Sequence, residues 1–366
     1  MDRDRPAQSA QCLGSSKLAG EQAVENIGGK FLIFRTSWVY GPHGNNFLLT
    51  MLRLARECDR LSIVDDQIGG PTTSIELARA TLSIVTGIFA GVGPIAGVDR
   101  ESVDLADPAQ TRELVRRTAP DMILNAAAYT AVDRAESERD LAYAINEGAP
   151  RVLAEEALRR DAVFVHYSTD YVFDGGKSSP WIESDAPHPL SVYGASKLAG
   201  EQAVANVGGK FLIFRTSWVY GPHGNNFLLT MLRLARERDR LSIVDDQIGA
   251  PTTSIELARA THAIVAGILA GRFGCARDWA GLYHVTCGGF VSWFGFAQAI
   301  FARAAELLAV KPPTLIAIAT KDYPTAAARP RNSVLSNAKL QACFGVELSP
   351  WELALEETLQ VLRNAK

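Results

Sequence analysis

Short apolar runs alternate with helical patterns from Ile95 onward, and this alternation constrains the fold more than any other feature of the chain. The clearest runs are residues 122–128, 162–167 and 210–216, each of a length typical of a buried parallel strand. A long helical pattern, residues 138–160, lies between the first two runs. Strands that alternate with helices of this length predict an α/β fold with a doubly wound parallel sheet.

A 78-residue block occurs twice in the chain. Residues 14–91 repeat residues 194–271 at an offset of 180, and 69 of the 78 positions are identical. A solenoid would show several short, diverged units, so the two blocks indicate a duplication or rearrangement within the gene, or a misassembled reading frame. The predicted parts are a partial duplicate of 181–271 at 1–91, a sheet domain at 92–252 and a smaller α/β part at 253–366.

Composition and charge narrow the range of partners. A net charge of −3 gives no general attraction to nucleic acid or to a membrane surface, so the expected partner is a small molecule. The five cysteines form no C-x-x-C pair, and their odd number argues against a disulfide framework, which favours a reduced, cytoplasmic protein. The six histidines lack metal-ligand spacing, which argues against a zinc site. No apolar run approaches the ~18 residues that span a bilayer.

Tyr193 and Lys197 stand four residues apart in a helical pattern, which places their side chains on one face, one turn apart. A phenol with a reference pKa of ~10 is a poor acid at neutral pH, and a neighbouring ammonium is expected to lower that pKa. Thr169 follows an apolar run and offers a hydroxyl that can hold the same carbonyl oxygen. An isolated Tyr-x3-Lys pair also occurs by chance on surface helices, so the flanking residues must decide.

Longer segments carry a resemblance to a known family. They read HYSTDYVF (166–173), NAAAYTAVD (125–133), FRTSWVY (214–220) and RPRNS (329–333), in one order between Ile95 and the C-terminus. Together they resemble the dTDP-4-dehydrorhamnose reductases, which are extended short-chain dehydrogenase/reductases. The resemblance implies a Rossmann-like nucleotide-binding domain at 92–252 and reduction of dTDP-4-dehydro-L-rhamnose to dTDP-L-rhamnose by NADPH or NADH. It also implies that Thr169, Tyr193 and Lys197 are catalytic.

Further site residues follow from the resemblance. The expected cofactor contacts, besides Tyr193 and Lys197, are Asp99, Arg100, Asp104, Leu105, Ala126, Ala127 and Tyr129. The expected substrate contacts are Thr169, Asp170, Trp218, Asn225, Asn226, Arg329 and Arg331. Arg100 suits a 2′-phosphate, although it equally suits a solvated surface charge. Small residues at 126–128 and the indole at 218 also fit plain packing, and an exposed arginine beside a proline is usually just solvated.

Metal and partner expectations are less specific. The family can use Mg²⁺, but the acidic cluster Asp133, Glu136 and Glu138 reads more simply as charges that lead a helix, and no ligand set stands out. A dTDP-sugar is the expected partner, without nucleic acid or membrane, and a homodimer is an open prediction.

Two features of the N-terminal part favour a rival function. The first copy carries Lys17 opposite Lys197 but Leu13 opposite Tyr193, so it receives no catalytic role. No glycine-rich strand, turn and helix precedes residues 95–99, which resemble the family's second strand. The glycine pattern at 84–93 reads better as a helix end, because its counterpart in the second copy has no loop. The rival is therefore a catalytically inactive chain that binds the nucleotide sugar or an intact subunit. A nucleotide-sugar epimerase is a third reading, disfavoured by the length of the motif match.

Overall fold

The computed structural model describes residues 97–98, 103–308 and 311–364, together with the strands Val39–Tyr40 and Thr72–Thr73; side chains at 305 and 306 and in these two strands are not described. The chain divides into two compact units, Met1–Ala96 and Gly97–Lys366. The glycine pattern at 84–93 lies outside the described residues.

The first unit contains a short parallel pair that also occurs in the second unit. Strand β1 (Val39–Tyr40) pairs with β2 (Thr72–Thr73), with Val39 opposite Thr72. The corresponding residues of the second copy form β6 (Val219–Tyr220) and β9 (Thr252–Thr253), with Val219 opposite Thr252. The repeated sequence therefore forms the same strand pair, in the same register, in both places.

A parallel sheet forms the centre of the second unit. Its strands in the described residues are β3 (Met122–Asn125), β4 (Val163–Thr169), β5 (Phe211–Thr216) and β10 (Gly281–His284), in the spatial order β10-β5-β4-β3. Asn125 lies opposite His166 and Thr169 lies opposite Thr216, so the carboxyl ends of these strands share one edge. This confirms the predicted α/β class. The strand β10, from the part predicted to be a smaller C-terminal region, joins the same sheet beside β5.

Shorter pairs lie outside this sheet. They involve β7 (Arg240–Val244) with β12 (Thr314–Ile318), β6 with β9, and β8 (Ile248–Gly249) with β11 (Val291–Ser292), the last pair being antiparallel. The sequence predicted β7 as a continuation of the alternating pattern. It pairs with β12 over five residues and not with the central sheet.

The helices of the second unit agree with most of the sequence patterns. They are α1 (Pro108–Thr118), α2 (Val132–Ala135), α3 (Arg139–Tyr143), α4 (Ala149–Arg159), α5 (Val192–Val207), α6 (Phe227–Glu237), α7 (Ser254–Leu269), α8 (Ala276–Trp279), α9 (Trp293–Arg303), α10 (Ala305–Leu308), α11 (Ala338–Phe344) and α12 (Trp351–Asn364). Asp107 caps α1, with its carboxylate accepting from the N–H groups of Ala109 and Gln110, as the Asp-Pro sequence predicts.

The long helix expected at 138–160 contains a turn that is not α-helical. A π-helical segment, Ala144–Gly148, separates α3 from α4. Pro150 has no N–H, so it cannot give the α-helical hydrogen bond to the carbonyl of Asn146, and the chain widens at this point. The predicted long helix therefore forms, and it contains one π-helical turn that the sequence pattern did not predict.

Alternate side chains of the strands pack on opposite faces of the sheet. On β4 and β5, Phe164 and Ile213 pack on one face with Leu153 of α4 and Val204 of α5. Val165, Leu212 and Phe214 pack on the other face, against Leu257, Ile264 and Leu340. A further core joins α6, α9 and α12 around Leu228, Ile300 and Leu355. None of the helices in the described part is long and apolar enough to cross a membrane.

Candidate active site

Tyr193, in the first turn of α5, contacts Thr169 at the end of β4, and Lys197 contacts β4 from the next turn of α5. Ser191 caps α5, and its hydroxyl accepts from the N–H of Gly194 at 3.2 Å. Gly194 is required at this point, since a Cβ there would lie 2.2 Å from the carbonyl oxygen of Tyr171. The close approach brings the first turn of α5, with Tyr193, against the residues that follow β4.

The phenol of Tyr193 is held protonated. Removal from water raises the pKa of Tyr193 to about 12, and a hydrogen bond with Thr169 opposes this rise. The ring packs edge-to-face on Tyr171, with centroids 5.7 Å apart. The direction of the pKa shift is opposite to the one expected from a neighbouring ammonium. The phenol of Tyr193 therefore carries its proton at neutral pH in this arrangement.

Lys197 is buried below Tyr193 and contacts β4. Its Nζ donates to the carbonyl oxygen of Tyr167 at 2.6 Å and lies 3.3 Å from Nε2 of His166. Burial lowers the pKa of Lys197 to about 8, against the opposing charge of Glu201. The lysine can therefore gain and lose a proton near neutral pH.

A buried ion pair fixes α5 to the sheet. Both carboxylate oxygens of Glu201 accept from Arg215, at 2.9 and 2.6 Å, and Oε1 also accepts from the hydroxyl of Ser168 at 2.5 Å. The guanidinium lies over the ring of Phe173. Because Arg215 and Glu201 are both buried, this fork sets the position of the catalytic helix against β4 and β5.

Asp170 lies beside Thr169 and is buried. Its carboxylate accepts from Thr169 Oγ1 at 3.0 Å and from Ser217 Oγ at 2.9 Å. Burial raises the pKa of Asp170 to about 6. The Asp170 carboxylate therefore fixes the orientation of the Thr169 hydroxyl, and it is itself shielded from solvent.

Trp218 adopts a strained backbone conformation at the end of β5. Its φ of 47° lies in the left-handed region, which a bulky residue rarely occupies. The indole stacks on Trp293, with centroids 3.5 Å apart and planes 6° apart. Gly249 makes room for it, because a Cβ there would lie 2.4 Å from the Trp218 ring. Sequence reasoning missed Trp293, since no spacing connects it with Trp218.

The remaining residues predicted to contact substrate separate into two groups. Arg329 donates to Asp133 at 2.7 Å and lies close enough to Tyr171 for a hydrogen bond, so it borders the catalytic tyrosine. Arg331 is 78% exposed and pairs with Asp246 at 3.5 Å. Asn225 is exposed, whereas Asn226 caps α6 and uses its amide on three backbone groups, from which we conclude that it supports the local structure.

The residues predicted to contact cofactor are described only in part. Asp99 and Arg100 lie outside the described residues. Asp104 accepts from the N–H of Ala106, and Leu105 is half-buried beside it. Tyr129 is tied to the protein, through its N–H to Asn146 at 2.8 Å and its hydroxyl to Glu138 at 2.5 Å. Ala126 and Ala127 are exposed at the carboxyl end of β3 and leave space there.

The acidic cluster has structural partners. Asp133 binds Arg329, Glu136 accepts from the N–H of Val192 at 2.8 Å, and Glu138 binds Tyr129. In the part of the chain that the structure describes, no group of three or more histidine, cysteine, aspartate or glutamate side chains is arranged to hold a metal ion. The expectation of Mg²⁺ therefore has no support.

The edge of the sheet fits the nicotinamide end of a dinucleotide. Thr169, Tyr193 and Lys197 supply hydroxyl and amine groups, and the small residues 126–127 leave room beside them. The hydroxyl of Thr216, buried opposite Thr169, has no hydrogen-bond partner within the described residues, as expected at a polar binding surface. A glycine-rich turn for the pyrophosphate is not found in the described ranges.

Comparison with known proteins agrees with this geometry. A parallel α/β sheet with a tyrosine and lysine at its carboxyl edge defines a short-chain dehydrogenase/reductase. The family model of the RmlD substrate binding domain matches residues 2–93 and 88–364. The dTDP-4-dehydrorhamnose reductase of Burkholderia thailandensis is 47% identical over 284 residues, covering 76% of this chain and 92% of that protein. This chain belongs to the dTDP-4-dehydrorhamnose reductase family.

Other relatives give the same result. The dTDP-4-dehydrorhamnose reductase of Salmonella typhimurium is 45% identical over 277 residues, covering 74% of this chain and 91% of that protein. A solved structure of the reductase from Bacillus anthracis, in complex with NADP, is 37% identical with a TM-score of 0.64 and covers 73% of this chain and 89% of that chain.

Proposed function

We propose that this chain reduces the C4 carbonyl of dTDP-4-dehydro-L-rhamnose with a hydride from NADPH or NADH and so makes dTDP-L-rhamnose for surface polysaccharide. The observation that carries the proposal is the contact of a protonated Tyr193 with Thr169 at the carboxyl edge of the sheet, with Lys197 buried against β4 one turn further along α5. A reductase needs an acid at this point, because the carbonyl oxygen becomes an alkoxide as the carbon is reduced.

The side chains divide the work on the carbonyl oxygen. Thr169 donates its single hydroxyl hydrogen to Asp170 in this structure, and we propose that it turns this hydrogen to the carbonyl oxygen when substrate binds. A bound nicotinamide supplies the hydride. Tyr193 then gives its phenolic proton to the developing alkoxide. Lys197 lies one turn further along α5 and supplies a buried amine. Family membership supports these roles, each of which remains to be tested.

We expect aromatic and cationic side chains to contact the substrate. The stacked indoles of Trp218 and Trp293 offer a flat apolar surface for a sugar or base. Arg329 and Arg331 are proposed to meet the diphosphate, with Asn225 beside it. Asn226 acts through the cap of α6.

The proposal includes three expectations from the sequence. The cofactor contacts at Asp99, Arg100, Asp104, Leu105, Ala126, Ala127 and Tyr129 stay predictions, with the NADP complex of the Bacillus anthracis relative as support for a nicotinamide dinucleotide. The domain division at 91 and 252 and a homodimer in the cytoplasm also stay predictions.

Product identification tests the proposal. The purified full chain is incubated with dTDP-4-dehydro-L-rhamnose and NADPH, nicotinamide oxidation is followed by absorbance, and the sugar nucleotide is identified by mass spectrometry. Formation of dTDP-L-rhamnose in proportion to NADPH consumed is expected. Binding of the dTDP-sugar without NADPH consumption would instead favour the catalytically inactive rival, and C5 inversion without net reduction would favour an epimerase.

A further inference from the structure

A line of three buried side chains leads from β3 to the catalytic helix. Asn125 Nδ2 lies 3.1 Å from Nδ1 of His166, and Nε2 of the same ring lies 3.3 Å from Nζ of Lys197. His166 is completely buried, and Asn125 and Lys197 are almost so. Neither Asn125 nor His166 has a role in the proposed chemistry, yet both polar side chains are buried next to it.

The orientation of the Asn125 amide follows from its second contact. The N–H of Ala127 lies 3.2 Å from Oδ1 of Asn125. A backbone N–H can only donate, so the atom facing it must be the amide oxygen. The other side of the amide, its NH₂ group, therefore faces Nδ1 of His166.

This orientation decides where the imidazole carries its proton. Burial, with the nearby charge of Lys197, lowers the pKa of His166 well below its ordinary value, so the ring is neutral and has one N–H. Nδ1 accepts from the Asn125 amide and must be the unprotonated nitrogen. Nε2 therefore carries the hydrogen and points it at Lys197.

We propose that Asn125 and His166 are positioning residues for Lys197, which they hold by fixing the imidazole as its Nε2–H tautomer, so that the lysine amine faces an N–H donor. Such a donor suits a neutral amine with a free lone pair and opposes an ammonium. The N–H donor therefore lowers the pKa of Lys197, as burial does. The inference rests on the proposed function for its meaning in catalysis, where it keeps a proton exchangeable beside Tyr193.

The other charged groups around Lys197 oppose this effect or are already paired. Glu201, on the same helix, favours the ammonium, but both its oxygens are bound by Arg215 of β5. The carbonyl of Tyr167 on β4 accepts from Nζ in either protonation state. The raised pKa of Tyr193 leaves the phenol neutral at neutral pH. The pKa of Asp170 is also raised, and its carboxylate is bound by Thr169 and Ser217. On β3, the neutral amide of Asn125 contacts His166.

Nitrogen NMR of the histidines tests the tautomer without any turnover. The full chain is labelled with ¹⁵N-histidine, and the signal of His166 among the six histidines is assigned by its loss in His166→Gln. The expected spectrum has a pyridine-type Nδ1 and a pyrrole-type Nε2, unchanged in type over about pH 5 to 8, where an ordinary histidine titrates. A pyrrole-type Nδ1, or an imidazolium, would overturn the proposal.

The same spectra test the coupling to Lys197. The His166 Nε2 shift should follow a titration with a midpoint no higher than about 8, and the titration should disappear in Lys197→Met. In Asn125→Leu the donor to Nδ1 is lost without a new charge, so the tautomer is free to reverse and the midpoint should rise by about one unit. A reversed tautomer with an unchanged midpoint would show that His166 does not control the lysine. Because turnover is not measured, a failed reductase assay leaves this result interpretable.

Discussion

The two copies of the repeated block share most of their sequence but differ in chemistry. Both form the same strand pair in the same register, at Val39 and Thr72 and again at Val219 and Thr252. Tyr193 directly precedes the second copy, whereas Leu13 stands at the equivalent position before the first. The partners that make Lys197 useful, His166 and Tyr167, come from β4, which lies outside the repeated block. The comparison teaches that the block specifies local structure, whereas the site depends on strands that precede it.

The largest expected effect is on turnover. Tyr193→Phe removes the proton donor and should lower the rate of reduction by about 10²–10⁴-fold, with little change in dTDP-sugar binding. Adding Leu13→Tyr to this variant gives the first copy its missing hydroxyl and should restore nothing. Rates are measured by NADPH oxidation, with circular dichroism as the control for folding. Recovery of activity in the double variant would break the comparison between the copies.

The buried ion pair of Arg215 and Glu201 should contribute more stability than Arg35, the equivalent arginine in the sequence of the first copy. Arg215→Met leaves Glu201 buried without its partner and should reduce the free energy of unfolding by about 3–5 kcal/mol. The matched variant is Arg35→Met, at the same position of the first copy. It should cost less, because Ser168 and Phe173, which complete the Arg215 network, lie outside the repeated block. Equal losses in urea denaturation would contradict this difference.

Asp170 should make stability depend on pH in an unusual direction. Its pKa is about 6 in the folded state, above the ordinary value of 3.8, so the folded state holds a proton that the unfolded state releases. This contribution is present below about pH 4 and is lost as pH rises to about 6. Relative to wild type, Asp170→Asn should gain on the order of 2–3 kcal/mol between these pH values.

The difference between the two proteins isolates Asp170, since the other titrating groups are common to both. Ser217→Ala, which removes one donor to the same carboxylate, serves as the control and should raise the folded-state pKa of Asp170 further. A stability difference between wild type and Asp170→Asn that stays constant from about pH 4 to about pH 7 would refute the assignment.

The smallest effect compares Gly200 with Gly20, the equivalent position in the sequence of the first copy. A Cβ at Gly200 would lie 2.0 Å from the carbonyl oxygen of Asn146, so Gly200→Ala must push α5 away from the π-helical segment and should cost about 1–3 kcal/mol. Gly20→Ala makes the same change in the first copy, and Asn146 lies outside the repeated block. Gly148→Ala, whose Cβ would meet only the Tyr143 oxygen at 3.9 Å, is the control for helix propensity. Thermal unfolding that ranks Gly148→Ala as the most damaging change would contradict the account.

Much of the fold could be predicted because its signals are local. Apolar runs gave β3, β4 and β5, and the Asp107-Pro108 cap gave the start of α1. The π-helical turn in the helix at 138–160 was harder to predict. The N–H that Pro150 lacks would have bonded the carbonyl of Asn146, so the effect of the proline appears one turn before it. The placement of β10 in the central sheet depends on tertiary pairing, which periodicity does not report.

The site could be predicted only where one motif contains its members. Tyr193 and Lys197 share a helix, so spacing alone placed them on one face. The sequence predicted a lowered pKa for Tyr193, whereas the pKa is raised. Burial, which spacing does not show, outweighs the hydrogen bond with Thr169 that lowers it. Trp293 and His166 were missed as partners, since each meets its neighbour from a distant part of the chain. Exposure of Arg331 likewise follows from tertiary structure.

The central claim is that the sheet edge around Tyr193 and Lys197 works as a nicotinamide-dependent reductase site in this chain. The most direct measurement is a fluorescence titration of the purified full chain with NADPH, repeated with Lys197→Met. The account predicts saturable binding by the wild type and much weaker binding by the variant, since the lysine is predicted to contact the cofactor. A folded wild-type chain that gives no saturable signal would contradict it, because Tyr193 would then have no hydride transfer to complete.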